Sequence, residues 1–246
     1  MKKFFTFVVA LVTFAGSANA LENVPEPGLT FQGLFGMNLS DLRGSVIGAN
    51  VKPGFNFGAR AEYMLPKCAG VFVNLGANYT MKGAKNDVRV YDNPATLKAR
   101  ACYLEIPLHV GYRYNFSEDL GVFADFGPYF AMGINGNNVL DFESDSQDLE
   151  KHNFFRNDDN GDFGDIQRFD FGLGFRIGVE YANHHSLNAG FDFGVTDMYK
   201  HDFRKKYQND EIGLYWKENY GLSNPTGLSL DPMKNFNFSL TYGYRF

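Results

Sequence analysis

Charged side chains placed at alternating positions are the residues of this chain with the clearest capacity for chemistry. Within residues 168–180, for example, charges occur between positions occupied by Phe, Gly, Leu, Ile and Val. A charge removed from water must be paired, so such a pattern indicates either an ion-pair network or a charged binding site. Twelve residues share it: Arg60, Glu62, Lys82, Glu105, Arg113, Asp125, Arg168, Asp170, Arg176, Glu180, Asp192 and Arg245.

Two shorter stretches also carry residue types used in catalysis or metal binding. His184, His185 and Ser186 could combine a nucleophile with a base, although a nucleophilic serine also needs an orienting acid. A polar turn is the other interpretation of this stretch, and we predict no catalytic residue.

The stretch DDNGD at residues 158–162 resembles part of a calcium loop. Asp158, Asn160 and Asp162 have the spacing of the first three ligands, but the glycine is misplaced and the twelfth position is Phe169 instead of Glu. We therefore predict no metal site and keep these three as weak candidates for divalent-cation binding. Because no glycine-rich phosphate loop or zinc spacing is present, no cofactor is predicted.

The elements that would position the twelve charges are β-strands, because apolar and polar residues alternate with period two from Gly28 onward. Each predicted strand has about ten residues or more, the length of a tilted strand that crosses a membrane. The chain also has 26 Phe, 14 Tyr and 27 Gly, a composition that favours strands and tight turns. The predicted strands are 28–40, 53–65, 70–83, 101–115, 119–133, 167–182, 186–197 and 234–246.

The two faces of these strands differ sharply, since one is apolar and the other holds all twelve charges with many glycines. In a soluble barrel of the lipocalin kind the apolar face lines the cavity, whereas in a membrane barrel it contacts lipid. Bulky apolar side chains would overfill a small barrel, while glycines and paired charges suit a narrow lumen. We predict an all-β, eight-stranded, antiparallel up-and-down transmembrane β-barrel with a charged, nearly closed lumen.

The lengths of the connections predict the orientation of the barrel. Segments 66–69, 116–118 and 183–185 are short, and four others are long, as expected of periplasmic turns and extracellular loops. The four long segments are 41–52, 84–100, 134–166 and 198–233. Since long loops on a rigid scaffold often carry recognition, segments 134–166 and 198–233 are predicted to contact an extracellular ligand.

The first twenty residues have the features of a signal peptide, so the predicted barrel domain comprises residues 21–246. Lys2 and Lys3 precede an apolar run that ends at Ala18-Asn19-Ala20, an A-x-A cleavage pattern. Removing those two lysines leaves 21 basic against 28 acidic residues, a net charge of −7. This balance argues against a nucleic-acid partner.

The final strand places an aromatic residue or Leu at every second position and ends on Phe246. An open sheet edge is too costly in hydrocarbon, so this strand must pair with the first. Phe246 resembles the terminal aromatic signal read by the barrel-insertion machinery. Tyrosines at the same end predict an aromatic girdle: Tyr63, Tyr112, Tyr114, Tyr181, Tyr242 and Tyr244.

Three motifs resemble the porin-family outer-membrane β-barrel domain. They are YLEIPL with GYRY in residues 103–114, GPY in 127–129, and RFDFGL with GVEY in 168–181. His109 and Gly111 depart from the residues usual in that family. The resemblance implies an eight-stranded barrel in the outer membrane and no particular substrate. The predicted partners are outer-membrane lipid and lipopolysaccharide.

The predicted function is structural, surface-interacting or restricted solute passage, without enzymatic activity. A narrow solute-specific pore is the first alternative. A lipid-modifying outer-membrane enzyme, whose His and Ser would lie in residues 184–186, and a lipocalin-like periplasmic carrier are the others. Two further expectations concern geometry: Cys68 and Cys102 lie at opposite ends and form no disulfide, and Pro107 and Pro128 interrupt their strands.

Overall fold

The computed structural model describes residues 27–43, 50–90, 93–142, 146–148, 155, 166–199 and 232–246. Residues 1–26 lie outside this part, so the division into signal peptide and barrel domain stays a prediction. Among the described residues, no helix is long and apolar enough to cross a membrane. The strands are β1 (Gly28–Arg43), β2 (Asn50–Met64), β3 (Val71–Val90), β4 (Asn93–Asn115), β5 (Leu120–Phe142), β6 (Ser146–Asp148), β7 (Phe169–Tyr181), β8 (His185–Gly194) and β9 (Lys234–Arg245).

Eight of these strands close into an antiparallel barrel. Each pairs with the next along the chain, except that β5 pairs with β7, while the short β6 adds only to the far end of β5. Closure occurs between β1 and β9, whose register runs from Gln32 opposite Arg245 to Arg43 opposite Lys234. The eight-stranded antiparallel barrel predicted from the alternation is confirmed.

The faces of the barrel are arranged as predicted for a membrane protein. The outward positions are large and apolar: Phe35, Phe171 and Leu240, for instance, are 63%, 48% and 50% exposed. The inward positions are buried and polar, and along β7 burial alternates strictly from Phe169 to Tyr181. Such an inverted arrangement is stable only when lipid covers the outer face.

Tight turns join the strands at one end of the barrel. The β7–β8 turn is built on Ala182 and Asn183, whose φ angles of 50° and 58° are those of a type I′ hairpin. The β2–β3 turn ends at Gly70, where φ is 76° and an added Cβ would lie 2.4 Å from a backbone oxygen, so only glycine fits. The predicted girdle tyrosines lie at this end, and five of the six are well exposed.

Three strands extend well past their predicted ends. Segment 84–100 was predicted as a long loop, but β3 continues to Val90 and β4 begins at Asn93, and the two pair throughout. Likewise β5 continues from 134 to Phe142. The prediction of loop there was wrong because apolar side chains are sparse in these segments and do not alternate over a full strand, while hydrogen bonds between neighbouring strands maintain the ladder.

The two prolines interrupt pairing without changing the register. Near Pro107 and Pro128 the ladders lack partners over two residues on each strand and then resume in the same register. The predicted local break is confirmed, but facing does not slip, since Pro128 is exposed and its neighbours are not. Cys68 and Cys102 are both free thiols, as predicted.

Candidate functional site: the charged lumen

A ring of four charges crosses the lumen at the end with short turns. Arg113 lies 2.6 Å from Glu62 and 3.3 Å from Glu180. Arg245 contacts the same two carboxylates: it is bidentate on Glu180, at 2.6 and 2.7 Å, and lies 3.2 Å from Glu62. We call Glu62, Arg113, Glu180 and Arg245 the turn-end charge ring. Because each cation contacts both anions, the four charges are neutralised as a unit.

Aromatic rings lie directly against this ring. Phe72 and Phe123 are buried and meet edge to face, with their centroids 6.5 Å apart. The guanidinium of Arg113 lies 5.1 Å from the centroid of Phe72 and 5.8 Å from that of Phe123. These contacts are within cation–π range and leave little space for solute beside the charges.

A second group of charges lies at mid-height. Nδ1 of His109 donates to Oδ1 of Asp125 at 2.5 Å, since an ionised carboxylate can only accept. Arg60 lies 3.4 Å from the other oxygen of Asp125 and donates to Gln32 at 2.9 Å. Arg176 is opposite Asp125 in the β5–β7 register. We call Arg60, His109, Asp125 and Arg176 the central charge group.

Glycines on two strands make room for the ring of His109. A Cβ at Gly174 would lie 2.7 Å from Cε1 of His109, and one at Gly127 would lie 2.9 Å from its Cδ2. The imidazole therefore occupies a space that any side chain at Gly127 or Gly174 would fill. His109 was noted in the sequence only as a departure from the family motif, and nothing there indicated its pairing with Asp125.

The third group contains more carboxylate than cation. Nζ of Lys82 lies 2.7 Å from Glu105 and 3.9 Å from Asp170. It also lies 4.7 Å from the ring centroid of Tyr129, whose hydroxyl donates to Asp170 at 3.1 Å. Asn235 donates a further bond to Asp170 at 2.9 Å. Neutral donors thus supplement the single ammonium.

Above this third group, apolar side chains cover the lumen. Phe155, Met198 and Met233 come from segments between the strands and pack on Tyr103 and Tyr129, all five being 6% exposed or less. We call these five residues the apolar cap. The cap is held to the barrel by polar contacts, since Asn235 donates to the sulfur of Met198 at 3.0 Å. Neither methionine was singled out from the sequence, because both lie in segments with no strand pattern.

A polar cavity remains between the cap and the central charge group. Its volume of about 30 Å³ is enough for about two ordered waters and is far less than that of an open channel. Its charged walls come from Arg60, Glu105, Arg176 and Asp192, and Asn237 donates to Asp192 at 3.0 Å. The remaining walls are largely amides and hydroxyls of β2, β3, β8 and β9.

Eleven of the twelve predicted lumen charges point into the barrel, and Arg168 does not. Its side chain is exposed at the rim, where Nε donates to the carbonyl of Gly133 at 2.9 Å. Arg168 precedes β7, which begins only at Phe169, so the alternation of facing does not extend to it. The burial of the other eleven is observed, whereas their role in closing the lumen or selecting solutes stays a prediction.

The ion pairs form between strands and not between charges on the same strand. Glu105 and Arg113 share a face of β4, yet eight residues separate them, about 27 Å of strand. Glu105 instead contacts Lys82 of β3, and Arg113 contacts Glu62 and Glu180 of β2 and β7. Because the barrel is narrow, charged side chains that point inward from different strands contact one another near its axis.

The two candidate motifs for other chemistry gain no support from the described residues. His185 is exposed and Nδ1 lies 2.7 Å from the hydroxyl of Tyr242, while Ser186 points inward and donates to the carbonyl of Gly243. They lie on opposite faces of β8, so no nucleophile–base pair forms. Asp158, Asn160 and Asp162 lie outside the described residues, and within those that are described no cluster of metal-binding side chains occurs.

Three solved outer-membrane proteins are similar over nearly all of the chain. They are Neisserial surface protein A (13% identity, TM-score 0.39, 89% of this chain and 99% of that chain), Ail of Yersinia pestis in complex with the heparin analogue sucrose octasulfate (12%, 0.38, 88% and 99%), and OprG of Pseudomonas aeruginosa (14%, 0.42, 90% and 97%). At these values the similarities carry no information about function.

No curated protein matched the chain. A family model, described as the outer membrane protein beta-barrel domain, matches residues 20–200. That match covers most of the chain, and the closed barrel with an apolar outer face agrees with it. The chain therefore belongs to the outer membrane protein beta-barrel domain family and is an integral β-barrel of the outer membrane.

Proposed function

We propose that this protein is a closed, non-enzymatic barrel that acts through the membrane and the cell surface, and not by passing solutes. The observation that carries this proposal is the presence of two barriers in series: the turn-end charge ring at one end and the apolar cap at the other. A solute would have to separate four mutually paired charges and also displace five packed side chains.

The energetics of the ring support closure at rest. Separating one member of a buried ion pair from its partner costs about 3–5 kcal/mol, because a desolvated charge is left unpaired. In the ring each arginine contacts two carboxylates, so opening a path breaks several contacts together. An eight-stranded barrel also has only enough interior for its own side chains.

A narrow solute-specific pore is the second candidate, and the polar cavity favours it. Arg176 lines that cavity, and among the described residues no carboxylate lies within 4.0 Å of it. A charge of this kind could select a small solute if both barriers opened. An enzymatic role is less well supported, since His185 and Ser186 lie on opposite faces of β8.

Several partners and signals belong to the same proposal. Residues 1–20 act as a signal peptide cleaved after Ala20, and Phe246 contributes the signal for the barrel-insertion machinery. Its exposed ring meets Tyr244 edge to face at the rim, where another protein could reach it. The segments within 134–166 and 198–233 provide the extracellular contacts, and lipopolysaccharide surrounds the outer half.

Conductance recording in planar bilayers tests the closed lumen. We expect the wild-type protein, inserted and folded, to give no stable current steps, because both barriers exclude hydrated ions. The test variant replaces the four ring residues, Met198 and Met233 by Ala, which leaves the net charge unchanged, and it should raise the current above the wild-type baseline because both barriers are weakened. Stable single-channel steps from the wild-type protein would contradict closure and favour the narrow pore.

A further inference from the structure

We propose that Arg43 and Lys234 form a lipid-binding site for the phosphate of a phosphorylated glycolipid in the outer leaflet. The site lies on the outer wall at the seam between β1 and β9, where the two residues are direct register partners. It depends on the proposed orientation of this end of the barrel toward the cell exterior, but not on whether the lumen is closed.

Both cations are held on the lipid side of the wall. The guanidinium carbon of Arg43 lies 3.7 Å from the ring centroid of Phe236 and 5.7 Å from that of Phe193. Those two rings are cross-strand partners with centroids 5.3 Å apart. Lys234 is exposed beside them. The close contact with Phe236 holds the guanidinium of Arg43 over a lipid-facing ring, so its charge stays at the edge of the apolar surface.

The height of the pair matches the boundary of the hydrocarbon. Lys234 lies ten residues from Tyr244 along β9, and Tyr244 belongs to the aromatic girdle at the other end. At about 3.4 Å per residue and a tilt of about 40°, ten residues span about 26 Å. The apolar band of such barrels is about 25 Å tall, so the two cations lie where lipid headgroups begin.

Among the described residues, no carboxylate lies within 4.0 Å of either cation. Lys98, at the same end of the barrel, is instead paired with Asp141 on the neighbouring strand. Asp41 lies two residues from Arg43 on the same face, but its Oδ1 accepts a hydrogen bond from the backbone of Leu42 and it forms no ion pair with either cation. Two unpaired cations above an apolar surface complement a lipid whose phosphate adjoins its acyl chains.

The binding test uses the full-length barrel in detergent and native mass spectrometry to count retained lipid. The probes are bisphosphorylated lipid A and the same lipid after enzymatic dephosphorylation. The test variant is R43Q/K234Q. The control is K67Q, which removes an exposed lysine from the β2–β3 turn at the opposite end. Folding of each variant is confirmed by heat-modifiable gel migration.

Each cation near an anionic lipid surface strengthens attraction about fivefold, so loss of both should weaken lipid A binding about 25-fold. K67Q should bind like the wild type, and dephosphorylated lipid should bind all three proteins equally and weakly. Equal binding of lipid A by wild type and R43Q/K234Q would overturn the proposal, as would equal binding of the two lipids by the wild type. Neither result would bear on the conductance test, which reports on the lumen alone.

Discussion

Replacing Arg113 by Met lowers the free energy of unfolding of the barrel by about 3–5 kcal/mol, the range for breaking a buried ion pair from one side. Arg113 is 3% exposed and contacts both Glu62 and Glu180, so its loss leaves two buried carboxylates with only Arg245 between them. Urea unfolding in lipid vesicles, followed by heat-modifiable gel migration, measures the change.

Two companion variants make this result specific. R100M removes an exposed arginine from the same strand and should change stability by less than about 0.5 kcal/mol. R113M/E62M should be more stable than R113M alone, because Arg245 and Glu180 then remain as a bidentate pair. A loss below about 1 kcal/mol in R113M would show that the turn-end charge ring is not a coupled unit.

Replacing Leu240 by Arg is expected to cost about 2–4 kcal/mol of folding stability, since a charge on the lipid face at mid-bilayer must leave water. Leu240 lies at the middle of β9 and its side chain is 50% exposed. The matched control is V195R, because Val195 is also 50% exposed but lies beyond the end of β8, near the headgroups.

Near the interface the same substitution should cost only about 0–1 kcal/mol, because the arginine can reach water. The difference between L240R and V195R therefore reports membrane depth and not exposure. If the two variants were equally stable in vesicles, the outer face at Leu240 would be in contact with water, contrary to the proposed membrane position.

The sequence predicted the barrel and its inverted faces because alternation with period two is a local property. In β7 and β9 successive side chains point to opposite faces, so the local sequence predicts which residues face lipid. The membrane then requires the sheet to close. The register was not predictable from the same pattern. Consequently the sequence could not show that Glu105 pairs with Lys82 of the neighbouring strand.

The parts that sequence reasoning missed depend on contacts distant in the chain. His109 pairs with Asp125 only because β4 and β5 are adjacent and Gly174 of β7 leaves space for its ring. Met198 covers the lumen from a segment with no periodic pattern. Arg43 looked like a loop residue, since its strand was predicted to end at 40, and its position above Phe236 follows from the β1–β9 register.

Quenching by lipids with brominated acyl chains tests most directly whether the apolar face contacts the membrane while the charges are enclosed. Trp216 is the only native tryptophan, so W216F provides a background for single reporters. Leu240→Trp places a reporter on the outer wall, and Phe123→Trp places one inside, where the native ring is 4% exposed. We predict strong quenching at position 240 and almost none at 123; quenching at 123 without quenching at 240 would contradict the account.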